Sequence, residues 1–185
     1  MFDFAVFPVL RTSRLLLREL GEEDASDVLV FRADPEVQKF NSEPLRSTED
    51  SVGLIDELRG EYVSRRAVHW AVALAATDRV IGIFGFNEWD THHRRAEVGY
   101  DLARDCWGRG LAGEALVAVL GFGFSDMDLN RVEAQTIADN TASVRLLERL
   151  GFQREGTRRR FSLEEDGVYH DGAIYGLLRA EQQLG

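Results

Sequence analysis

The sequence predicts a mixed α/β domain spanning residues 1–185: a central, mostly antiparallel twisted sheet with one parallel βαβ crossover, and helices on both faces. Three observations predict it. Strand-like runs at 69–76, 79–87 and 95–103 follow one another through short links, as in an antiparallel meander. Beyond them the apolar pattern turns helical at 111–124, alternating at 131–137 and helical again at 141–150, an order that calls for a parallel crossover. The length of 185 residues, with 44% apolar and 29% charged, supports one sizeable core without staples.

Residues 14–20 (RLLLREL) read as the first strand and 22–33 as a helix, whereas 34–47, with Pro35 and Pro44, reads as a loop. A second helix over 48–65 has Thr48, Asp50 or Ser51 as its candidate cap. The meander follows. In the helix at 111–124, Leu111, Ala115, Val119 and Phe122 share an edge of a broad apolar face; in that at 141–150, Val144, Leu147 and Leu150 point inward. Gly151 is placed to end that helix. Two closing strands, 152–161 and 168–178, flank an Asp166-Gly167 turn.

Net charge is −10 and the isoelectric point is near 4.9. A duplex-binding protein needs a cationic stripe for the phosphates, so nucleic acid is not an expected partner. Cys106 is the single cysteine, which excludes an intramolecular disulfide and a multi-cysteine metal site and suits a reducing cytosol. The apolar start, Phe2 to Leu10, lacks a basic n-region, and no run approaches the roughly 18 apolar residues of a membrane span. The cytoplasm is the expected compartment, with no membrane attachment.

The most informative segment is DCWGRGLAGEA, 105–115, between a strand and an apolar-faced helix. Glycines let the chain turn sharply and approach a ligand closely. The free N–H groups of the helix's first turn then converge on one spot that favours an anion such as a pyrophosphate. Arg109 adds a cation there. Gly108, Gly110 and Gly113 also satisfy GxGxxG, with Glu133 about 20 residues on, the dinucleotide fingerprint of an NAD(P)-binding oxidoreductase. That reading requires the loop to follow the first strand of a βαβ series, whereas here about half the chain precedes it.

With this loop the chain resembles the GNAT superfamily of N-acetyltransferases, in its RimJ/RimL-like branch. The motifs that carry the resemblance run over nearly the whole chain: LRTSRLLLR at 10–18, AEVGYDL at 96–102 leading into WGRGLAGEA, DNTAS at 139–143, LGF at 150–152, and the ending DGVYHD and YGLL. Two positions depart from the family's pattern: Asp105, where Gln or Arg is frequent, and Gly113, where the branch usually carries Ser or Thr. Neither removes a backbone N–H group.

The resemblance implies acetyl-CoA as cofactor, lying in a V between the fourth and fifth strands of the family's fold. It further implies pantetheine paired to the backbone near Leu102 and pyrophosphate on Trp107, Gly108, Arg109, Gly110, Leu111, Ala112 and Gly113. Asn140 is read as a helix N-cap or a pantetheine ligand. Many members carry a proton-donating tyrosine one turn after position 143; here that position is Leu147, and Ser143 becomes the candidate donor to the departing thiolate. Glu97, an acid in an apolar alternating strand, is the candidate general base, with Glu88 and Asp101 as rivals and pairing with Arg95 as the plain structural alternative. The expected acceptor is a primary amine, a protein N-terminus or a small molecule, and a homodimer is an expected assembly. A non-catalytic acyl-CoA-binding module is the other alternative. His92 and His93 read as a solvated turn rather than a metal site, and Cys106 has no neighbouring base to make it a nucleophile. Alternation along a strand predicts that Arg158, Arg159 and Arg160 do not form a continuous patch. Trp70, Trp89, Trp107, Phe40 and Phe86 are expected mostly in the core, some lining the acceptor pocket.

Overall fold

The computed structural model describes residues 5–164 and 167–182. Phe2 to Phe4 and Asp166 of the expected turn lie outside them. Eight strands form one sheet: β1 (Leu10–Arg11), β2 (Leu15–Arg18), β3 (Val68–Leu74), β4 (Val80–Asp90), β5 (Arg95–Leu102), β6 (Arg131–Ile137), β7 (Gln153–Leu163) and β8 (Tyr169–Leu178). Their spatial order is β1-β2-β3-β4-β5-β6-β8-β7, and only β5 and β6 run parallel. The helices are α1 (Ala25–Arg32), α2 (Pro35–Gln38), α3 (Thr48–Val63), α4 (Leu111–Ser125) and α5 (Thr141–Arg149).

The sheet is covered on both faces, as expected. Strand register puts Trp70, Phe84, Phe86 and Tyr100 on one side, where the Trp70 ring meets Phe122 of α4 edge-on at 5.3 Å. Helix α5 lies on that side too, since Tyr100 bonds Ser143. On the other side the Asp101 carboxylate pairs with Arg32 of α1 at 2.7 Å, and the His69 ring lies 3.7 Å from Glu61 of α3. With both faces buried, β3 and β4 are near-continuous apolar runs rather than clean alternations.

Several expectations need correcting. Strand β1 was not expected; two residues carry no period. The predicted loop at 34–47 contains α2, with Asp34 accepting from the Glu36 amide as N-cap and Pro35 pre-set at the first helical position. The cap of α3 is Ser47, not Thr48, Asp50 or Ser51. Ser47 accepts from the Asp50 amide while Asp50 reaches back to the Ser47 amide, and Ser51 is fully buried. Strand β4 extends to Asp90 through an irregularity at Glu88, whose φ is +47°. Register also shifts between Arg158 and Ser162, where Arg160 has φ +52°, so simple alternation fails for the three arginines; Arg158 lies over the Phe161 ring and Arg160 over Tyr169. In α5 Leu147 is buried while Val144 and Leu150 are partly so, and Gly151 (φ +90°) ends it as expected. No helix of the described residues is long and apolar enough to cross a membrane.

Candidate active site

The cleft begins where two strands part. β5 and β6 pair only at Arg95–Arg131, Ala96–Val132 and Glu97–Glu133. Beyond these β5 stays on β4 as far as Leu102, and β6 stays on β8 as far as Ile137. The Ala103 amide donates to the Ile81 carbonyl at 2.7 Å. Alternation in an antiparallel pair therefore turns the N–H and C=O groups of Val98, Tyr100 and Leu102 into the gap. A cavity of about 1060 Å³ fills this gap and runs through the sheet. One mouth is bounded by the glycine loop and α5, the other by Phe40, Glu61, His69, Asn87 and Glu97.

At the first mouth Gly108 and Gly110 have φ of +70° and +75°, a backbone region in which L side chains are strained. A Cβ at Gly108 would meet nothing within 4 Å, so the loop is shaped by its dihedrals and leaves an open cradle. Helices α3 and α5 carry side-chain caps, but α4 has none, and its first turn borders the cleft with N–H groups available to an anion. The turn is anchored from behind. Glu114 accepts from Thr12 Oγ1 at 2.5 Å and from the Arg14 amide at 2.9 Å, and pairs with Arg14 Nε at 2.6 Å. Arg14 also donates to the Arg109 carbonyl. The Trp107 indole donates to the Leu102 carbonyl at 2.7 Å, taking up one of that oxygen's two lone pairs.

At the start of α5, Asn140 Oδ1 accepts from the Ser143 amide at 3.2 Å, so the cap reading holds, and the Asn140 NH2 takes no part in that bond. Ser143 Oγ lies 2.7 Å from the Tyr100 hydroxyl. At the opposite mouth Glu97 has no ion pair or hydrogen bond among the described residues. Arg95 pairs instead with Glu133 and Asp90. Burial, then repulsion from Glu88 and Glu133, holds the Glu97 carboxyl above the ordinary range, with Arg158 opposing. His69 Nε2 bonds Asn87 Oδ1 at 2.7 Å, while burial pushes the imidazole below its ordinary value against the opposing pull of Asn87 and Glu61.

Residues 14–153 match the family model described as an acetyltransferase (GNAT) domain. The chain belongs to this family. An N-acetyltransferase of Bacillus subtilis (strain 168) named YoaA, itself uncharacterized, is 33% identical over 96% of this chain and 100% of its own length. At 25% identity, over 91% of this chain and 89% of the relative, the chain is similar to the [ribosomal protein uS5]-alanine N-acetyltransferase of Escherichia coli (strain K12). The crystal structure of a GNAT-family acetyltransferase from Bacillus anthracis superposes with a TM-score of 0.82 at 25% identity, covering 94% of this chain and 100% of that one. The chain is thus a GNAT acetyltransferase with relatives of the RimJ/RimL type.

Of the residues expected at the site of this GNAT domain, Glu97, Leu102, Trp107, Gly108, Gly110, Leu111, Ala112, Gly113, Asn140 and Ser143 all line the one cleft. Arg109 does not; it is exposed outside the lining. Of the rival bases, Asp101 is buried and paired with Arg32, and Glu88 is exposed and does not line the cleft, although it lies close enough to repel Glu97. Trp107 is 45% exposed rather than core, whereas Trp70 and Phe86 are fully buried and Phe40 lines the mouth opposite the glycine loop. Burial raises the Cys106 thiol, which suits an inert cysteine. His92 and His93 are exposed, as a solvated turn requires. Glu133, the would-be ribose ligand of a dinucleotide site, is held by Arg131 and Arg95, and the glycine turn follows a meander, so the dinucleotide reading falls. Tyr100 and His69 were missed. Both read locally as ordinary strand residues, and only the sheet register aims them into the cleft.

Proposed function

We propose that this GNAT domain moves an acetyl group from acetyl-CoA directly onto a primary amine, an N-terminal α-amine of a protein or a small amine. The observation that carries the reading is the parting of β5 from β6 after Glu97, with an uncapped helix start at one end of the gap and a carboxyl at the other. Acetyl-CoA supplies the activated acyl carbon and a thiolate leaving group. The N–H groups of the loop and the first turn of α4 suit its pyrophosphate, and the open backbone of Val98, Tyr100 and Leu102 suits strand-like pairing with pantetheine.

The amine enters from the Phe40 and His69 side. The neutral amine nitrogen attacks the acyl carbon, and Glu97 takes the one proton the nitrogen sheds as the N–C bond forms. The C–S bond breaks with its electron pair on sulfur, and Ser143 meets the departing sulfur with its O–H. A carboxyl held above its ordinary range is better matched to this task than an exposed one. An α-amine with a pKa near 8 is about a tenth to a quarter neutral at cytosolic pH, whereas a lysine near 10.4 is under about 0.1% neutral. A single carboxylate therefore favours the α-amine. The uS5-alanine acetyltransferase relative is consistent with that acceptor class. We place the reaction in the cytoplasm, where a lone buried thiol such as Cys106 is at home.

Thermal-shift titration with acetyl-CoA, CoA and NADH side by side tests the cofactor. A ligand that binds only the folded state adds about 2.7 kcal/mol at 100 times its Kd. Stabilisation by acetyl-CoA and CoA but not NADH is expected; its absence overturns the proposal. Thiol release with a panel of peptide and small amines follows. Glu97→Gln and Ser143→Ala variants that lose nothing would leave a non-catalytic acyl-CoA-binding module instead.

A further inference from the structure

We propose that Tyr100 is a positioning residue for the leaving group: its hydroxyl donates to Ser143 Oγ and thereby turns the one proton of Ser143 toward the coenzyme A sulfur. The inference rests on the acetyl-CoA reading above and gives a role to a residue that the sequence reading left without one. Tyr100 Oη and Ser143 Oγ are 2.7 Å apart although 43 positions separate them in the chain, and both residues border the cleft.

The geometry leaves the phenol little freedom. The Tyr100 ring stacks on Phe84 at 5.5 Å between centroids with planes 21° apart, and Phe84 is fully buried. Ser143 is fixed from the backbone side by the bond its amide gives to Asn140 Oδ1. What remains is the direction of the bond between the two hydroxyls. A serine hydroxyl has one proton and two lone pairs. Were Ser143 to donate to Tyr100, it would have nothing to offer the sulfur. The phenol is much the more acidic O–H, so it is the better donor and the alkyl oxygen the better acceptor. Burial, partly offset by the bond to Ser143, pushes the Tyr100 phenol up to about 12, so it keeps its proton across the working range. With Ser143 Oγ accepting from Tyr100, its own O–H points into the cleft. As the C–S bond breaks its electron pair stays on sulfur, and that O–H is the donor that meets it. Leu147, one turn further along α5, is buried and has no hydroxyl; here the tyrosine comes from strand β5 and acts through the serine.

The test needs no amine. CoA is bound to the wild type and to Tyr100→Phe, Ser143→Ala and the double variant, and thiolate absorbance is followed as pH is raised, as the difference between loaded and free protein so that Cys106 cancels. In the wild type the thiol of bound CoA is expected to titrate below that of free CoA. Tyr100→Phe should move it back up by about 0.5–1 pH unit, the roughly three- to tenfold effect of one hydrogen bond. Ser143→Ala should move it as far or further, and the double variant no further than Ser143→Ala. A titration unchanged by Tyr100→Phe overturns the proposal, as do shifts that add in the double variant. Loss of CoA binding in Tyr100→Phe alone also overturns it, by making the residue merely structural. A wild type that does not bind CoA overturns the acetyl-CoA reading itself, and this inference with it.

Discussion

At the scale of single residues, the site is a set of small local demands. Gly110 and Gly113 belong to the same motif but differ in kind. Gly110 sits at φ +75°, so Gly110→Ala is expected to cost about 1–2 kcal/mol and to shrink the thermal shift given by acetyl-CoA. Gly113 lies within α4, where a Cβ would only touch Leu146 at 3.7 Å. Gly113→Ala should therefore raise stability by about 0.5–1 kcal/mol in urea unfolding, through helix propensity alone. Glu97 carries the opposite trade. It binds its proton more tightly folded than unfolded, so its charge costs stability above the unfolded value near 4.3, with the full cost reached once pH passes the raised folded value. Glu97→Gln is expected to raise Tm at pH 7–8, with the gain vanishing near pH 4, while thiol release falls. An equal gain at both pH values would mean that the carboxyl is not perturbed in the fold.

At the scale of elements, the open start of α4 is tenable because its first turn is held from behind. Burial alone would raise the Glu114 carboxyl, but the bonds from Thr12, Arg14 and Ser13 outweigh it and hold the carboxyl below its ordinary value. Its stabilising contribution is therefore present above the unfolded value near 4.3 and lost as pH falls through the lower folded one. Glu114→Ala should cost about 1.5–3 kcal/mol at pH 7, the range for hydrogen bonds to a charged group, and much less near pH 3. Urea midpoints at the two pH values measure it. An effect independent of pH would assign the loss to packing instead. The anchoring residues lie about a hundred positions from Glu114, so the glycine loop and the start of α4 depend on the loop that enters β2.

At the scale of the whole molecule, the two helical layers meet the sheet at different strengths. The face bearing α4 is a dry aromatic core around Trp70, Phe86 and Phe122. The face bearing α1 and α3 is partly polar and includes the Arg32–Asp101 ion pair, whose side chains are 19% and 3% exposed. Without Arg32 the buried Asp101 carboxylate keeps only the Ile83 amide and the Gln38 side chain as partners and loses its counter-charge. Arg32→Met is expected to cost about 3–5 kcal/mol, and the double change Arg32→Met with Asp101→Asn to recover most of it. Denaturant unfolding of the three variants decides the matter; additive losses would show that the pair is not a unit. The same pair lines the cleft, so loosening it also moves part of the cleft wall.

The sequence by itself determined the order and type of nearly every element, because apolar periodicity, caps and helix-ending glycines act within a turn or two of chain. The run from Arg131 to Ile137 and the helix opening at Thr141 were legible to the residue. The glycine loop stands out in the sequence as well; Glu97 is singled out as an acid in an apolar strand and Ser143 through the family resemblance, and both line the cleft. Two residues of β1, the four of α2 and the Ser47 cap were not legible: the first two are too short to show a period, and three neighbouring polar residues competed for the cap. The tertiary structure alone decided that β5 and β6 part after three pairs, which turns a sheet into a cleft. It alone put Tyr100 against Ser143, His69 against Asn87, and Glu114 against the loop before β2. Those contacts join residues far apart in sequence, and they exist only because closing the sheet fixes every strand's register at once.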